Sequence, residues 1–133
     1  MSQENVDTVR RAVEAFNRRE LLLEIYAPEA EWIEDPRYPG AETFRGREGI
    51  RRSVEKWWET WSAVTLRVEE FMDAGDRVVM WGALEARARD PEVTIGGQFG
   101  GVWELRDGLI VRVRVLGGRE EALEAAGLTE TRQ

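Results

Sequence analysis

The 133-residue sequence contains no histidine and no cysteine. This absence excludes nucleophile systems of the Ser-His-Asp and Cys-His types. It also excludes disulfides, and zinc, haem or iron–sulfur sites with histidine or cysteine ligands. Any catalysis must therefore use Asp, Glu, Tyr, Arg or the single lysine, Lys56. The sequence predicts no metal ion and no cofactor.

Long hydrophobic runs are also absent. No apolar run approaches the roughly 20 residues that a membrane helix needs, and the first residues lack the apolar stretch of a signal peptide. We therefore expect a cytoplasmic protein with no membrane partner. The net charge of −7 would repel a phosphate backbone. Because the arginines alternate with acids, as in residues 51–56, we expect a mixed-charge surface and no nucleic-acid partner.

Six tryptophans are present, and three of them lie close together at Trp57, Trp58 and Trp61. Apolar spacing predicts a helix over 3–18, and a short second helix over 21–26 that Pro28 ends. A strand is predicted over 31–35. The third helix, over 47–61, carries the three tryptophans, which cannot all line one cavity because adjacent residues point about 100° apart.

The second half of the chain alternates with a period of two, which is typical of strands. We predict strands beginning at Val64 and over 78–89, 94–105 and 109–116, with a break at Asp90-Pro91. A closing helix is expected over 119–126, with Gly127 at its C-cap. This order predicts a single α+β domain over 1–133, with a mixed, mainly antiparallel sheet.

The last hairpin has two possible registers. A two-residue turn at Asp107-Gly108 would place Trp103 on the same face as Arg112. A type I turn with Gly108 in a bulge instead joins Trp103 with Val113 on one apolar face. We prefer the bulged register, because a one-residue slip would bury charged groups.

The predicted inner face defines a set of candidate pocket residues. On the long strand 78–89, alternation predicts that the inward-facing residues are Val79, Trp81, Ala83, Glu85 and Arg87. The pocket is then expected to be bounded by Trp57, Trp81, Phe99, Trp103 and Val113. Tyr26, Trp61, Glu85 and Arg87 are further candidates for contact with a ligand.

The order of elements resembles the nuclear transport factor 2-like superfamily, and within it the SnoaL-like proteins. The resemblance covers nearly the whole chain. It is carried by APEAEW at 27–32, FRGREGI at 44–50, AGDRV at 74–78 and DGLIV at 107–111. It implies a curved sheet that wraps helices into a cone with an internal pocket. Members include polyketide cyclases, ketosteroid isomerase and limonene-epoxide hydrolase, so the fold alone does not fix the function.

The resemblance also identifies positions where known activities would need particular residues. Glu34-Asp35-Pro36 is similar to the ketosteroid isomerase segment with the general base, which makes Asp35 the candidate base. The two oxyanion donors of that enzyme are replaced here by Ala12 and Gly101. The Asp-Arg-Asp set of the epoxide hydrolase is replaced by Phe99, Gly101 and Val115. The histidine of SnoaL-type cyclases has no counterpart. The resemblance therefore supports the fold and disfavours each named activity.

Three functions remain open at this level. The chain could bind a small apolar or aromatic molecule without catalysis. It could be an isomerase, cyclase or dehydratase with Asp35 as base, in which case burial should raise the pKa of Asp35. It could also be a structural dimerisation module with a collapsed core. Asp35 could instead accept hydrogen bonds from loop backbone groups, and Glu85 with Arg87 could form an ion pair at the sheet edge.

A homodimer is also predicted. Alternation places four large apolar residues on the outer sheet face, and such a face is rarely exposed in a monomer. A two-fold axis would bring Glu104 of one chain near Arg112 or Arg114 of the other. The alternative is that the closing helix covers this face. The apolar residues are Met80, Leu84, Val102 and Ile110.

Overall fold

A computed structural model describes residues 2–37, 39–88 and 94–128. These residues form three α-helices, a short 3-10 helix over Leu23–Ile25 and six strands. The helices are α1 (Ser2–Asn17), α2 (Gly46–Thr60) and α3 (Arg119–Ala125). The strands are β1 (Tyr26–Ile33), β2 (Thr43–Arg45), β3 (Trp61–Asp73), β4 (Arg77–Ala88), β5 (Thr94–Arg106) and β6 (Leu109–Leu116).

The six strands form one sheet in the order β2-β1-β6-β5-β4-β3. Only the β1–β6 pair is parallel among these neighbours, and the others are antiparallel. The parallel pair places β1 and β6, the first and last strands along the chain, side by side in the interior of the sheet, with Trp32 opposite Val113. The predicted α+β class with a mixed, mainly antiparallel sheet is confirmed.

Helices α1 and α2 pack on one face of the sheet, which we call the inner face. The predicted apolar stripe of α1 is buried, with Val6, Val9 and Val13 each at most 5% exposed. The end of α1 is tied to the edge strand β3, because the Asn17 amide donates to the Leu66 carbonyl and accepts from its N–H, both at 2.9 Å. Helix α2 begins at Gly46, whose φ of 76° turns the chain out of β2.

Helix α3 covers part of the opposite, outer face of the sheet. A second apolar cluster forms there, in which Ala122 and Leu123 of α3 pack with Val79, Trp81 and Val102. Gly127 follows the helix with a φ of 75°, and the Leu128 N–H donates to the Leu123 carbonyl at 2.8 Å. This arrangement confirms the predicted C-cap.

The inner face predicted for β4 is wrong by one residue. Cross-strand pairing places Val78 opposite Trp103 and Met80 opposite Gly101, so that Val78 and Met80 belong to the inner core. Trp81 points to the outer face. Alternation gave no signal in the first half of β4, because α3 buries Val79 and Trp81 on the outer face just as the core buries Val78 and Met80 on the inner face.

The β5–β6 hairpin combines features of both registers considered. Asp107 and Gly108 both have positive φ, at 54° and 82°, which is typical of a two-residue type I′ turn. The pairing then shifts between Glu104 and Leu105, which restores Trp103 opposite Val113. The preferred pairing of Trp103 with Val113 is therefore correct, but the bulge lies beyond the turn.

Most of the apolar residues from which a dimer was predicted do not lie on the exposed outer face of the sheet. Met80 and Ile110 belong to the inner core, with Leu84 packed against it, and Val102 lies under α3. The Arg112 guanidinium contacts Glu104 of its own chain at 3.0 Å. Helix α3 covers the apolar part of the outer face, through which the dimer was expected to form. The homodimer itself stays a prediction.

Some predicted boundaries also differ. The second helix is reduced to one 3-10 turn, and Tyr26 already begins β1. The pairing of β1 with β6 is irregular between Tyr26 and Glu31, the stretch that contains Pro28, which lacks the N–H that a sheet ladder needs. Trp61 begins β3 and does not end α2. The predicted break at Asp90-Pro91 lies outside the described residues.

Candidate functional site

An interior cavity of about 100 Å³ lies between α1, α2 and the inner face of the sheet. Its wall is mainly aliphatic and aromatic, and backbone atoms of Gly100 and Gly101 close one side. Five residues predicted to contact a ligand line it: Tyr26, Trp57, Phe99, Trp103 and Val113. The rest of the wall includes Ala12, Val13, Phe16, Leu21, Trp32, Val54, Val64, Leu66, Met80, Leu84 and Val115.

Two indole groups in this wall carry unpaired donors. The Nε1 atoms of Trp32 and Trp103 are buried and have no hydrogen-bond partner among the described residues. Their rings meet edge to face, with centroids 6.1 Å apart. An indole N–H can only donate, so the wall offers hydrogen bonds that no neighbouring group accepts.

Tyr26 brings a third polar group to the cavity. Its position at the start of β1, opposite Ile110 of β6, buries the side chain to 3% exposure. Burial raises the pKa of the Tyr26 phenol well above its ordinary value. The hydroxyl is therefore neutral and available to donate a hydrogen bond at physiological pH.

A second, more open space of about 200 Å³ adjoins this cavity and shares Trp57 and Val115 with it. It contains the ion pair of Glu34 with Lys56, whose Nζ and Oε1 atoms are 3.1 Å apart. The Glu34 side chain is 11% exposed and also accepts from the Glu42 N–H. Trp61 lines this second space and not the apolar cavity.

Asp35 is held by the loop that follows β1. Its carboxylate is 2% exposed and accepts from the Arg37 backbone N–H at 3.0 Å and from Arg37 Nη2 at 2.8 Å. The side-chain hydrogen bonds from Arg37 hold the pKa of Asp35 below its ordinary value; burial acts in the opposite direction and is outweighed, and the backbone hydrogen bond lowers the pKa further.

Asp35 lines neither the apolar cavity nor the space beside Trp57. A raised pKa was expected for Asp35 as a base at the pocket, and Asp35 does not lie there. A carboxylate with a lowered pKa is also a weak base. These contacts favour the loop-stabilising interpretation of Asp35.

Three other candidates lie on the outer side of β4. Trp81 packs under α3, with the Arg119 guanidinium 5.2 Å from its ring centroid. Glu85 is exposed and pairs with Arg67 of β3 at 3.6 Å, not with Arg87. Arg87 is exposed as well. These three residues do not reach the cavity, because the odd-numbered residues of β4 face outward. The predicted inner face was shifted by one residue.

Several wall residues escaped the sequence analysis. Alternation predicts Met80 and Leu84 on the outer face, whereas both line the cavity together with Trp32. Trp58 packs away from the cavity against Phe16 of α1, with ring centroids 5.8 Å apart. Trp32 had a usable signal, because it is the one aromatic residue on the predicted strand 31–35.

The described residues contain no cluster of three or more Asp or Glu side chains placed to hold a metal ion. None of their helices has the length and apolar character needed to cross a membrane.

Comparisons with known proteins give a consistent fold. The SnoaL-like domain profile matches residues 9–113. No curated protein sequence matches the chain. TerC, crystallised with polyporic acid, is 23% identical with a TM-score of 0.73, over 92% of this chain and 96% of TerC.

Two further solved structures have TM-scores close to that of TerC. An NTF2-like protein of unknown function from Burkholderia pseudomallei K96243 is 24% identical with a TM-score of 0.77, over 96% of this chain and 98% of that one. A Jannaschia sp. CCS1 protein named for SnoaL-like polyketide cyclases is 17% identical with a TM-score of 0.76, over 99% and 95%. By the match over residues 9–113, this chain belongs to the SnoaL-like family, which has the NTF2-like, cystatin-like fold.

Proposed function

We propose that the protein binds a small apolar or aromatic molecule in its interior cavity, within a cone formed by the sheet and the helices α1 and α2. The observation that carries this proposal is the cavity of about 100 Å³ with its aromatic and aliphatic wall. Apolar cavities of this order stay dry and take up ligands the size of a benzene ring. Burial of the ligand surface supplies the driving force.

The named relatives support a small-molecule role. TerC was crystallised with polyporic acid, and the Jannaschia protein is named for cyclases that act on polyketides. The identities to both are below 25%, so they support the class of function and not a particular ligand.

The two alternatives have less support. An isomerase, cyclase or dehydratase with Asp35 as base would need a free carboxylate at the cavity, whereas Asp35 is bound by Arg37. A structural module with a collapsed core would have no reason to retain the cavity, since voids in a core cost stability. Binding without demonstrated catalysis is therefore the function that we favour.

A cavity-filling variant tests this function. Ala12 of α1 lies in the wall, so Ala12→Leu should occupy part of the space. Benzene or toluene at about ten times its dissociation constant should raise the melting temperature of the wild type by about 4 °C. The increase should be largely lost in Ala12→Leu and kept in Arg11→Leu, a matched control at the next, exposed position of the same helix.

The function would be rejected if no small aromatic raised the melting temperature of the wild type. An equal increase in both variants would place binding elsewhere on the molecule.

A further inference from the structure

The apolar cavity has a polar feature that its proposed role as an apolar pocket does not explain. Tyr26 and Trp103 are each 3% exposed and both belong to the wall. The Trp103 N–H is buried and has no partner among the described residues. The Tyr26 phenol stays neutral, because burial raises its pKa. A buried donor without an acceptor is costly and uncommon in folded proteins.

The charged residues at the edge of the cavity do not satisfy the Trp103 donor. Glu20 pairs with Arg18 at 3.1 Å. The Arg114 guanidinium turns away toward the Ala125 carbonyl of α3. A molecule in the cavity that carries an acceptor would supply the partner that Trp103 lacks.

We propose that the ligand of this cavity carries a neutral hydrogen-bond acceptor on an apolar ring, and that Trp103 Nε1 and the Tyr26 hydroxyl donate to it. This inference rests on the proposed function and narrows its ligand class. Ring ketones, aldehydes, nitriles and ethers are of this class. A pure hydrocarbon would fill the cavity but would leave the Trp103 donor unpaired.

The acceptor should be neutral for two reasons. Arg114, the cationic residue at the edge of the cavity, directs its guanidinium toward the Ala125 carbonyl, so a carboxylate or phenolate would lose its hydration without compensation. An indole N–H can only donate, and the neutral phenol of Tyr26 can also donate. The polar end of the ligand should accordingly be an acceptor that is not itself ionised.

Two probes of nearly the same shape separate this inference from simple apolar binding. Benzonitrile ends in a nitrogen acceptor, whereas phenylacetylene replaces that nitrogen with a C–H group. Calorimetry should show that benzonitrile binds the wild type about five- to tenfold more tightly, the usual effect of one net hydrogen bond. The infrared stretch of the bound nitrile should shift to higher frequency than in hydrocarbon solvent, as nitriles do when they accept a hydrogen bond.

The variants Trp103→Phe and Tyr26→Phe remove the donors one at a time and retain an aromatic ring. Each should reduce the preference for benzonitrile and shrink the infrared shift. Trp81→Phe is the matched control, because Trp81 lies under α3 on the opposite face. It should leave the preference and the shift unchanged.

The outcomes distinguish the two claims. Equal affinity of the wild type for both probes, without a nitrile shift, would overturn the acceptor inference and leave apolar binding intact. Binding of neither probe would overturn the proposed function and this inference together. If a variant fails to fold, the comparison of the two probes on the wild type still decides.

Discussion

The indole nitrogen of Trp103 lies 3.2 Å from the point where a side chain on Gly101 would begin. Both residues are on β5, two positions apart, and both line the apolar cavity. The Met80 methyl group is 3.4 Å from the same point. The lack of a side chain at Gly101 therefore lets the Trp103 nitrogen and the Met80 methyl group approach this strand closely.

This relationship predicts the effect of Gly101→Ala. The added methyl group should displace the Trp103 ring or the Met80 methyl group, because contacts of 3.2 Å are too close for a carbon atom. We expect the affinity for benzene or benzonitrile to fall by about tenfold, while the free energy of unfolding changes by only about 1 kcal/mol. Titration calorimetry and urea unfolding measure the two effects.

Gly97→Ala is the matched control for this variant. Gly97 lies on the same strand, and nothing is within 4 Å of a side chain added there. Its ligand affinity should equal that of the wild type. Equal loss of affinity in both variants would show that the change acts through the strand and not through the cavity.

Asp35→Asn should destabilise the protein in a pH-dependent manner. The folded-state pKa of Asp35 lies below its ordinary value of 3.8, so its contribution is present above pH 3.8 and is lost as the pH falls through the folded-state pKa. We expect a loss of about 1–3 kcal/mol near neutral pH, because the Asn amide replaces a carboxylate that accepts charged hydrogen bonds. Unfolding by urea at a series of pH values measures this.

The difference between wild type and Asp35→Asn should narrow below about pH 4, as the wild-type carboxyl becomes protonated. Asp7→Asn is the control, because the Asp7 side chain is 59% exposed, and its effect should be small throughout. A difference that stayed constant into strongly acidic conditions would contradict the lowered pKa.

The titration of Tyr26 provides a test at the opposite end of the pH range. In Tyr38→Phe, Tyr26 is the only tyrosine left. Its pKa in the folded state is raised above the ordinary value of 10.0, so the stability it contributes is complete below pH 10 and is lost as the pH rises through the higher, folded-state pKa. Tyrosinate absorbance should therefore appear together with loss of the circular dichroism signal. Absorbance that rises near pH 10 in a folded protein would refute the burial of this hydroxyl.

The packing of α3 on the outer face of the sheet can be tested with variants in that helix. Leu123→Ala should cost about 2–3 kcal/mol, because Leu123 is 4% exposed and packs in the outer cluster with Trp81. It should also make Trp81 more accessible to a fluorescence quencher. Glu124→Ala, at an exposed position of the same helix, should do neither. If the two variants were equally stable, α3 would not be docked as described.

Sequence patterns predicted those parts of the fold in which one face is polar. Strand β6 could be placed because Arg112 and Arg114 alternate with apolar residues, and this pattern fixed Trp103 opposite Val113. The face of strand β4 was predicted wrongly, because Val78, Val79, Met80 and Trp81 are all buried and the first half of the strand shows no alternation. The exposed Glu85 and Arg87 in its second half do mark the outer face, but the prediction assigned them to the pocket. Burial on both faces removes the signal on which the alternation depends.

The candidate site was predictable only in part. Phe99, Trp103 and Val113 followed from the same alternation. The pairing of Glu34 with Lys56 depends on how α2 docks across β1, which spacing along the chain does not specify. The role of Asp35 was decided by Arg37, two residues away, whose side chain folds back onto the carboxylate. Local spacing left that contact open, since Arg37 could equally have pointed to solvent.

The central claim is that the interior cavity takes up a small aromatic molecule, and nuclear Overhauser contacts to bound benzonitrile test it most directly. Isotope-filtered spectra should show contacts from the ligand protons to the methyl groups of Met80 and Val113 and to the Phe99 ring, all in the wall. Contacts only to surface groups, or none at a ligand concentration that saturates the calorimetric signal, would contradict the claim.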